Sequence, residues 1–340
     1  MVEQFVFGRS ASDEVIRAFR IREEDGASVT LLTWGATVQS LVIPMENGPV
    51  DVALGYDGME GYEAGTAYLG TIVGRVGNRI GGSRFTVDGT EYHVTANERG
   101  NCLHGGRLGM NRKNWDARTE GDEVIFSLVS PDGEEGFPGE LKAEVRYALR
   151  GHALSIRYRA EVSRPCPVNL TNHTYFNLNG HGTGTILEHW MKVDADSVTE
   201  TDAELIPTGN GIPVEGTPFD FRAGKTVGRD LDESYVPIGY GKGYDHNFCL
   251  NGTGFRKALE LQGDRTGLKM EVWTDQPGVQ IYCSGAYGEE NGKAGKTYGR
   301  FCGLALETQN YPDAVNHPGF PDSILRPGEE YVTKTEYRFL

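Results

Sequence analysis

The chain is punctuated into short runs in which apolar and polar residues alternate, the two-residue period of half-buried β-strands. Residues 84–93, RFTVDGTEYH, form two such arms around Asp88-Gly89, a pair suited to the positive φ values of a tight hairpin turn. Residues 29–43 predict two strands broken near Gly35, and the stretch from Gly267 predicts two more around Gln276-Pro277-Gly278. Near the C-terminus, Pro327-Gly328 is placed for a type II turn that feeds another strand. Helical periodicity is scarce, with helical turns expected only near 57–64 and 230–235. There is no βα alternation and no repeat of constant period. The pattern predicts one large all-β, mostly antiparallel domain of layered sheets over residues 1–340. The long glycine-rich connection 205–244 is expected to rim a site.

One run departs from the usual pattern. Residues 169–178, NLTNHTYFNL, read as a strand with Leu170, Phe176 and Leu178 on one face. Asn169, Thr171, His173, Tyr175 and Asn177 lie on the other. That second face is polar but carries no charge, which suits a surface touching something polar rather than bulk solvent.

Composition narrows the partners. The 340 residues include 47 glycines, about twice the usual share, consistent with many turns. The formal net charge of -15 argues against nucleic acid and anionic membranes as partners, since both select basic surfaces. Five cysteines, Cys102, Cys166, Cys249, Cys283 and Cys302, form no C-x-x-C pair. They fit reduced thiols in a cytoplasm better than a disulfide framework. The N-terminus lacks the basic and apolar regions of a signal peptide, and no stretch approaches the roughly 18 apolar residues of a membrane span.

Five stretches concentrate polar groups beside glycines or at strand ends: GRVGNRI (74–80), GNCLHGG (100–106), NLTNHTYFNL, GKGYDHNF (241–248) and GLALETQNYPDAVNHPGF (303–320). In the last, Glu307 shares a predicted strand face with Ala305. A carboxylate on an apolar strand is costly to bury unless it has partners or a job. Singly, Asn78-Arg79 reads equally well as a surface turn, His104 as a loop residue, Asp245 as a loop cap, and His173 as a structural histidine. The weight comes from their number. No H-E-x-x-H, G-x-S-x-G, P-loop or dinucleotide fingerprint is present.

Taken together and in this order, these motifs resemble the aldose 1-epimerase family, also called galactose mutarotases. The resemblance spans most of the chain. It implies a large antiparallel β-sandwich of the supersandwich type with an open sugar cleft, and neither metal nor organic cofactor. It assigns His173 as general acid and Glu307 as general base. It also points to Asn78, Arg79, His104, Asp245 and Gln280 as sugar-binding residues, with Tyr175 as a further cleft-wall candidate. The implied partner is a small aldose, acted on by a monomer or homodimer.

The chemistry suits these residue types. Anomers interconvert through the open-chain aldehyde, so one group must take the C1 hydroxyl proton while another protonates the ring oxygen, with the roles reversed on closure. Ordinary pKa values of about 4.3 for Glu and about 6.5 for His leave a window in which both carry the required charge. Nearby Asp245 is expected to widen that window upward. A bell-shaped pH profile follows, with Glu307 on the acid limb and His173 on the alkaline one. Three rivals remain open: a glycosidase using Asp245 and Glu307, a sugar-binding module without catalysis, and a hexose 6-phosphate epimerase.

Overall fold

The computed structural model describes residues 1–340 and contains thirty strands and only two short α-helices. Three sheets dominate. A five-stranded meander runs from Val2–Arg9 through Val15–Arg22, Ser28–Leu32 and Thr37–Ile43 to Val50–Asp51. A nine-stranded antiparallel sheet has Leu141–Arg150, Ala153–Val162, Tyr331–Phe339 and Lys269–Thr274 at its centre. A six-stranded antiparallel sheet orders Tyr175–Phe176, Leu304–Gln309, Gly278–Tyr282, Asp245–Leu250, Ala195–Thr201 and Pro207–Pro213 side by side.

Alternation explains how the last two sheets make a sandwich. Leu304, Leu306 and Thr308 point from one face of their strand toward the nine-stranded sheet. There the Tyr337 hydroxyl donates to the Leu306 carbonyl (3.0 Å), and Phe176 meets Tyr337 at 4.7 Å between ring centroids. Val279, Ile281 and Phe248 join the same core of 65 buried residues as Ile156, Tyr158 and Val272 from the opposite sheet. Ala305 and Glu307 therefore turn to the other face. That face is covered by a second, smaller apolar cluster containing Tyr62 of the helix α1 (Met59–Ala64), together with Leu54, Tyr56, Tyr175 and Tyr298. The strand is buried on both faces, which is how a carboxylate comes to lie in the interior.

The local turn chemistry acts as expected. Asp88 and Gly89 adopt φ 49° and 79° between Arg84–Val87 and Thr90–His93, and Gly35 (φ 62°) separates the strands either side of it. Gly328 takes φ 88° in a turn closed by the Glu329 N–H to the Arg326 carbonyl (3.0 Å). The strands flanking Pro277 are present but belong to different sheets. The first helical turn is α1. The second, α2 (Val236–Gly241), begins beyond the expected 230–235, with Pro237 in its first turn, where proline's missing N–H costs nothing.

The run 169–178 is not one strand. Thr171–Asn172 pairs with Ile72–Val73, whereas Tyr175–Phe176 pairs with Leu304 and Ala305 of the six-stranded sheet. Asn172 makes the break. Its Oδ1 accepts from the Thr174 N–H (3.1 Å) and hydroxyl (2.6 Å), and its Nδ2 donates to the Gly70 carbonyl (2.8 Å). Such local side-chain bonds compete with a continuing ladder. Most of the uncharged polar face is also internal. Asn169 brackets the Asn310 backbone, Thr171 donates to the Thr308 carbonyl, and Asn177 donates to the Gly184 and Cys302 carbonyls. Only His173 and Tyr175 of that face reach a cavity. All five cysteines are free thiols, four of them buried.

Candidate active site

A cavity of about 460 Å³ opens beside the six-stranded sheet, within the range of small-ligand sites. Asn78, Arg79, His104, His173, Tyr175, Asp245 and Glu307, drawn from all five motif stretches, line it. Strand register builds its floor. Gln280 lies opposite both Glu307 and Asn247, and Tyr282 lies opposite both Ala305 and Asp245. Residues opposite one another or two apart share a face, so Glu307, Gln280, Tyr282 and Asp245 stand on the cleft side. Leu205, Tyr240, Gly241 and Lys242 bring the ends of the 205–244 connection to the rim.

His173 and Glu307 meet at the centre, Nε2 to Oε1 3.5 Å, with side chains 5% and 2% exposed. The His173 backbone is fixed by two bonds: its N–H donates to the Thr71 carbonyl (2.8 Å), and its carbonyl accepts the Gly70 N–H (3.0 Å). Each side chain of the pair nevertheless keeps one buried atom without a partner, Nδ1 of His173 and Oε2 of Glu307. Buried polar atoms are seldom left so.

Burial reverses the expected order of titration. It pulls His173 down to about 4, opposed only in part by its own backbone carbonyl and by Asp245. It pushes Glu307 well above the carboxylate range, helped by Asp245 and opposed by Arg79. Burial therefore favours the neutral form of each group, a protonated Glu307 carboxyl beside a neutral His173 imidazole. The sequence expectation of a carboxylate beside an imidazolium, widened by Asp245, is thus corrected: removing both groups from water penalises both charges.

The remaining groups are held by reciprocal bonds. His104 Nδ1 accepts the Asn78 N–H (3.1 Å), while the His104 N–H donates to the Asn78 carbonyl (2.9 Å). Both residues sit at positive φ, 52° and 59°, a strained conformation for a side chain with a Cβ and typical of functional turns. Asn78 Oδ1 accepts the Arg79 N–H (2.9 Å), which leaves its amide NH₂ for a ligand. Arg79 donates from Nε to Glu98 (3.2 Å), and its Nη1 lies 4.0 Å from Asp245. Asp313, downstream of Glu307, accepts the Gly81 N–H (3.0 Å) and donates its own N–H to the Arg79 carbonyl (3.0 Å), pinning this turn. Gln280 stands behind the cavity lining, its Nε2 donating to Asp245 Oδ1 (2.6 Å).

His104, His173 and Glu307 present donor atoms within 4.8 Å of one another, the spacing of a three-ligand metal site. The His104 tautomer does not fit that role. Its Nδ1 accepts a backbone N–H, so Nε2 carries the proton and acts as a donor. Ligation through Nε2 would move the proton to Nδ1, against the Asn78 N–H. Burial also keeps His104 neutral, its pKa falling well below the ordinary value, with His173 and Arg79 adding to the shift.

The sequence reading missed Tyr68, Glu98, Tyr282 and Tyr287, all of which line the cavity. Tyr282 was within reach, two residues beyond Gln280 on one strand face. Glu98 lies just ahead of the GNCLHGG stretch. Tyr68 and Tyr287 lie on loops with no pattern to mark them.

Comparison with known proteins identifies the family. The family model described as aldose 1-epimerase matches residues 17–338. The chain is 44% identical to a galactose mutarotase of Rattus norvegicus, over 99% of this chain and 98% of that protein. It is 39% identical to an aldose 1-epimerase of Escherichia coli K12, over 95% of each. Among solved structures, an aldose epimerase homologue from C. elegans superposes with a TM-score of 0.87 at 32% identity, covering 94% of this chain and 98% of that one. A galactose 1-epimerase from Lactobacillus acidophilus gives 0.88 at 26% identity, covering 100% and 98%. The chain belongs to the aldose 1-epimerase family.

Proposed function

We infer that this chain is an aldose 1-epimerase, a mutarotase that interconverts the α and β anomers of free aldohexoses such as galactose and glucose. One observation carries the mechanism: a buried acid–base pair, 3.5 Å apart, lies on a polar cavity with one unpartnered atom on each member. Glu307 takes the C1 hydroxyl proton and His173 donates to the ring oxygen. The C1–C2 bond then rotates, and the roles reverse as the ring closes. Substrate hydroxyls donating to Glu307, together with the Arg79 guanidinium, favour the carboxylate and transfer the shared proton to His173. His104 donates from Nε2, Asn78 from its amide and Arg79 from its fork to sugar oxygens, while Asp245 accepts from hydroxyls. Tyr175 forms part of the wall, and Gln280 contributes through Asp245. No organic cofactor or metal enters the scheme. We take residues 1–340 as one domain working in the cytoplasm as a monomer or homodimer.

The charge of the cleft favours free sugars over sugar phosphates. Glu98, Asp245, Glu289, Glu290 and Glu307 line it against Arg79, Arg99 and Lys242. Arg79 and Arg99 already face Glu98, at 3.2 and 3.5 Å, which leaves Lys242 as the one uncommitted cation. Conversion of α-galactose and α-glucose followed by polarimetry or NMR tests the function. The enzyme accelerates equilibration with no leaving group released. Anomer exchange no faster than in buffer, or reducing sugar released from a glycoside, would replace this reading with a binding module or a glycosidase.

A further inference from the structure

Tyr68 belongs to none of the motif stretches, yet its ring borders both cleft histidines. Its centroid lies 4.6 Å from that of His104 and 5.8 Å from that of His173, the latter nearly parallel at 31°. Tyr175 flanks His173 at 5.0 Å, and His104 meets it edge-on at 5.1 Å. The His173 imidazole is therefore framed by three rings.

The backbone ties Tyr68 to the same place. The Tyr68 carbonyl accepts the Thr71 N–H (3.1 Å) and hydroxyl (3.0 Å), closing a tight turn. Gly70 and Thr71 of that turn make the two bonds that hold the His173 backbone. Tyr68 itself sits at φ 58°. A bulky aromatic residue in the left-handed region is uncommon and strained, and here the strain directs its ring into the cavity.

We propose that Tyr68 is the positioning residue for the cleft histidines, its ring fixing the planes of His104 and His173 and keeping water from His173. This rests on the reading in which His173 exchanges protons with the sugar. The groups facing His173 are Glu307, His104, Tyr175 and Tyr68, with Asp245 and Arg79 behind them. Tyr68 lies on a turn outside the six-stranded sheet.

The test compares Tyr68→Phe, which keeps the ring, with Tyr68→Gly and Tyr68→Asn, which remove it with residues at ease at positive φ. The readouts are kcat and KM for galactose anomerisation and the NMR titration of the His173 imidazole. Phe keeps kcat within about twofold of wild type. Gly and Asn lower kcat on the order of 10–100-fold, the scale of a misplaced catalytic group, and raise the His173 midpoint from about 4 toward its ordinary value near 6.5. The idea fails if the ring-less variants leave both kcat and the midpoint unchanged, or if Phe fails as badly as Gly while the midpoint stays put. A midpoint that moves while kcat holds would support the positioning role and overturn the catalytic role of His173, so the two claims part cleanly.

Discussion

Two buried histidine–carboxylate pairs adjoin the 169–178 segment, and they are built differently. His189 is wholly buried. Its Nε2 accepts the Leu178 N–H (3.0 Å), and its Nδ1 lies 3.0 Å from Asp264 Oδ1, which also receives the Asn179 amide at 2.8 Å. Nε2 has a hydrogen-bond partner, Nδ1 has the Asp264 carboxylate beside it without an aligned hydrogen bond, and that carboxylate reaches solvent. Burial lowers His189 to about 4, as it does His173. Asp264 stays below the ordinary range: burial works to raise it, but the Asn179 amide and His189 outweigh that. Glu307 has only Arg79 working to lower it, and burial outweighs that. Depressed histidines alone therefore do not separate the pairs. What separates them is a carboxyl pushed upward and a cavity. One pair has its carboxylate at the surface; the other lies wholly within the wall of a cavity.

The comparison breaks most easily at the cleft. Glu307→Gln and His173→Asn each lower kcat by about 10²–10⁴-fold in galactose anomerisation, whereas Asp264→Ala leaves the kcat of folded enzyme unchanged. A cleft variant with near wild-type kcat would remove that residue from the mechanism.

Stability runs the opposite way. Asp264→Ala leaves His189 buried without its carboxylate and costs about 1–3 kcal/mol in denaturant unfolding. Glu307→Gln is expected to melt above wild type at pH 7. Glu307 has a folded pKa raised above its unfolded value, so its contribution to stability is complete below the unfolded pKa and is lost as pH rises through the folded one. A neutral amide escapes that loss. A Gln variant that melts below wild type at pH 7 would contradict the raised carboxyl.

The pH dependence of kcat/KM sharpens the contrast further. One proton on the pair predicts a bell, with apparent values belonging to the pair as a whole. The acid limb lies near the depressed His173 value of about 4, and the alkaline limb lies above the ordinary carboxylate range. A profile with neither an acid limb near pH 4 nor an alkaline limb above it would deny that the pair titrates in the free enzyme. The smallest effect concerns His189. Because its folded value is lowered to about 4, the unfolded chain binds more protons between there and about 6.5. Its contribution to stability is therefore complete above that window and fades as pH falls through it. Denaturant midpoints measured between pH 7 and 4 should decline more steeply in wild type than in a His189→Gln variant.

Much of this molecule could be read from local chemistry. Asp88-Gly89 and Pro327-Gly328 declare their turns because positive φ is a property of one or two residues. Leu304 to Glu307 declares a strand with its carboxylate on the Ala305 side because a strand repeats every two. The motif residues stand out as uncharged or singly charged groups among glycines. The misreadings share one cause. Asn172 folds its own backbone away from a ladder that alternation would continue, and Asn169, Thr171 and Asn177 bond to backbone carbonyls supplied from Asn310, Thr308, Gly184 and Cys302. Gln280 lies on the cleft side yet donates to Asp245. Which polar group meets a ligand and which meets a loop depends on partners that local pattern does not mark, some more than a hundred positions away.

By itself the sequence determined the strands, the turns and the set of residues able to move a proton or hold a hydroxyl, since these follow from side-chain chemistry and short periods. Only the tertiary structure decided that His173 and Glu307 lie 3.5 Å apart, that the Tyr68 ring borders both histidines, and that the titrations of the pair are pushed in opposite directions. Desolvation sets that last result. It is a property of everything packed around the two groups, and no pattern along the chain records it.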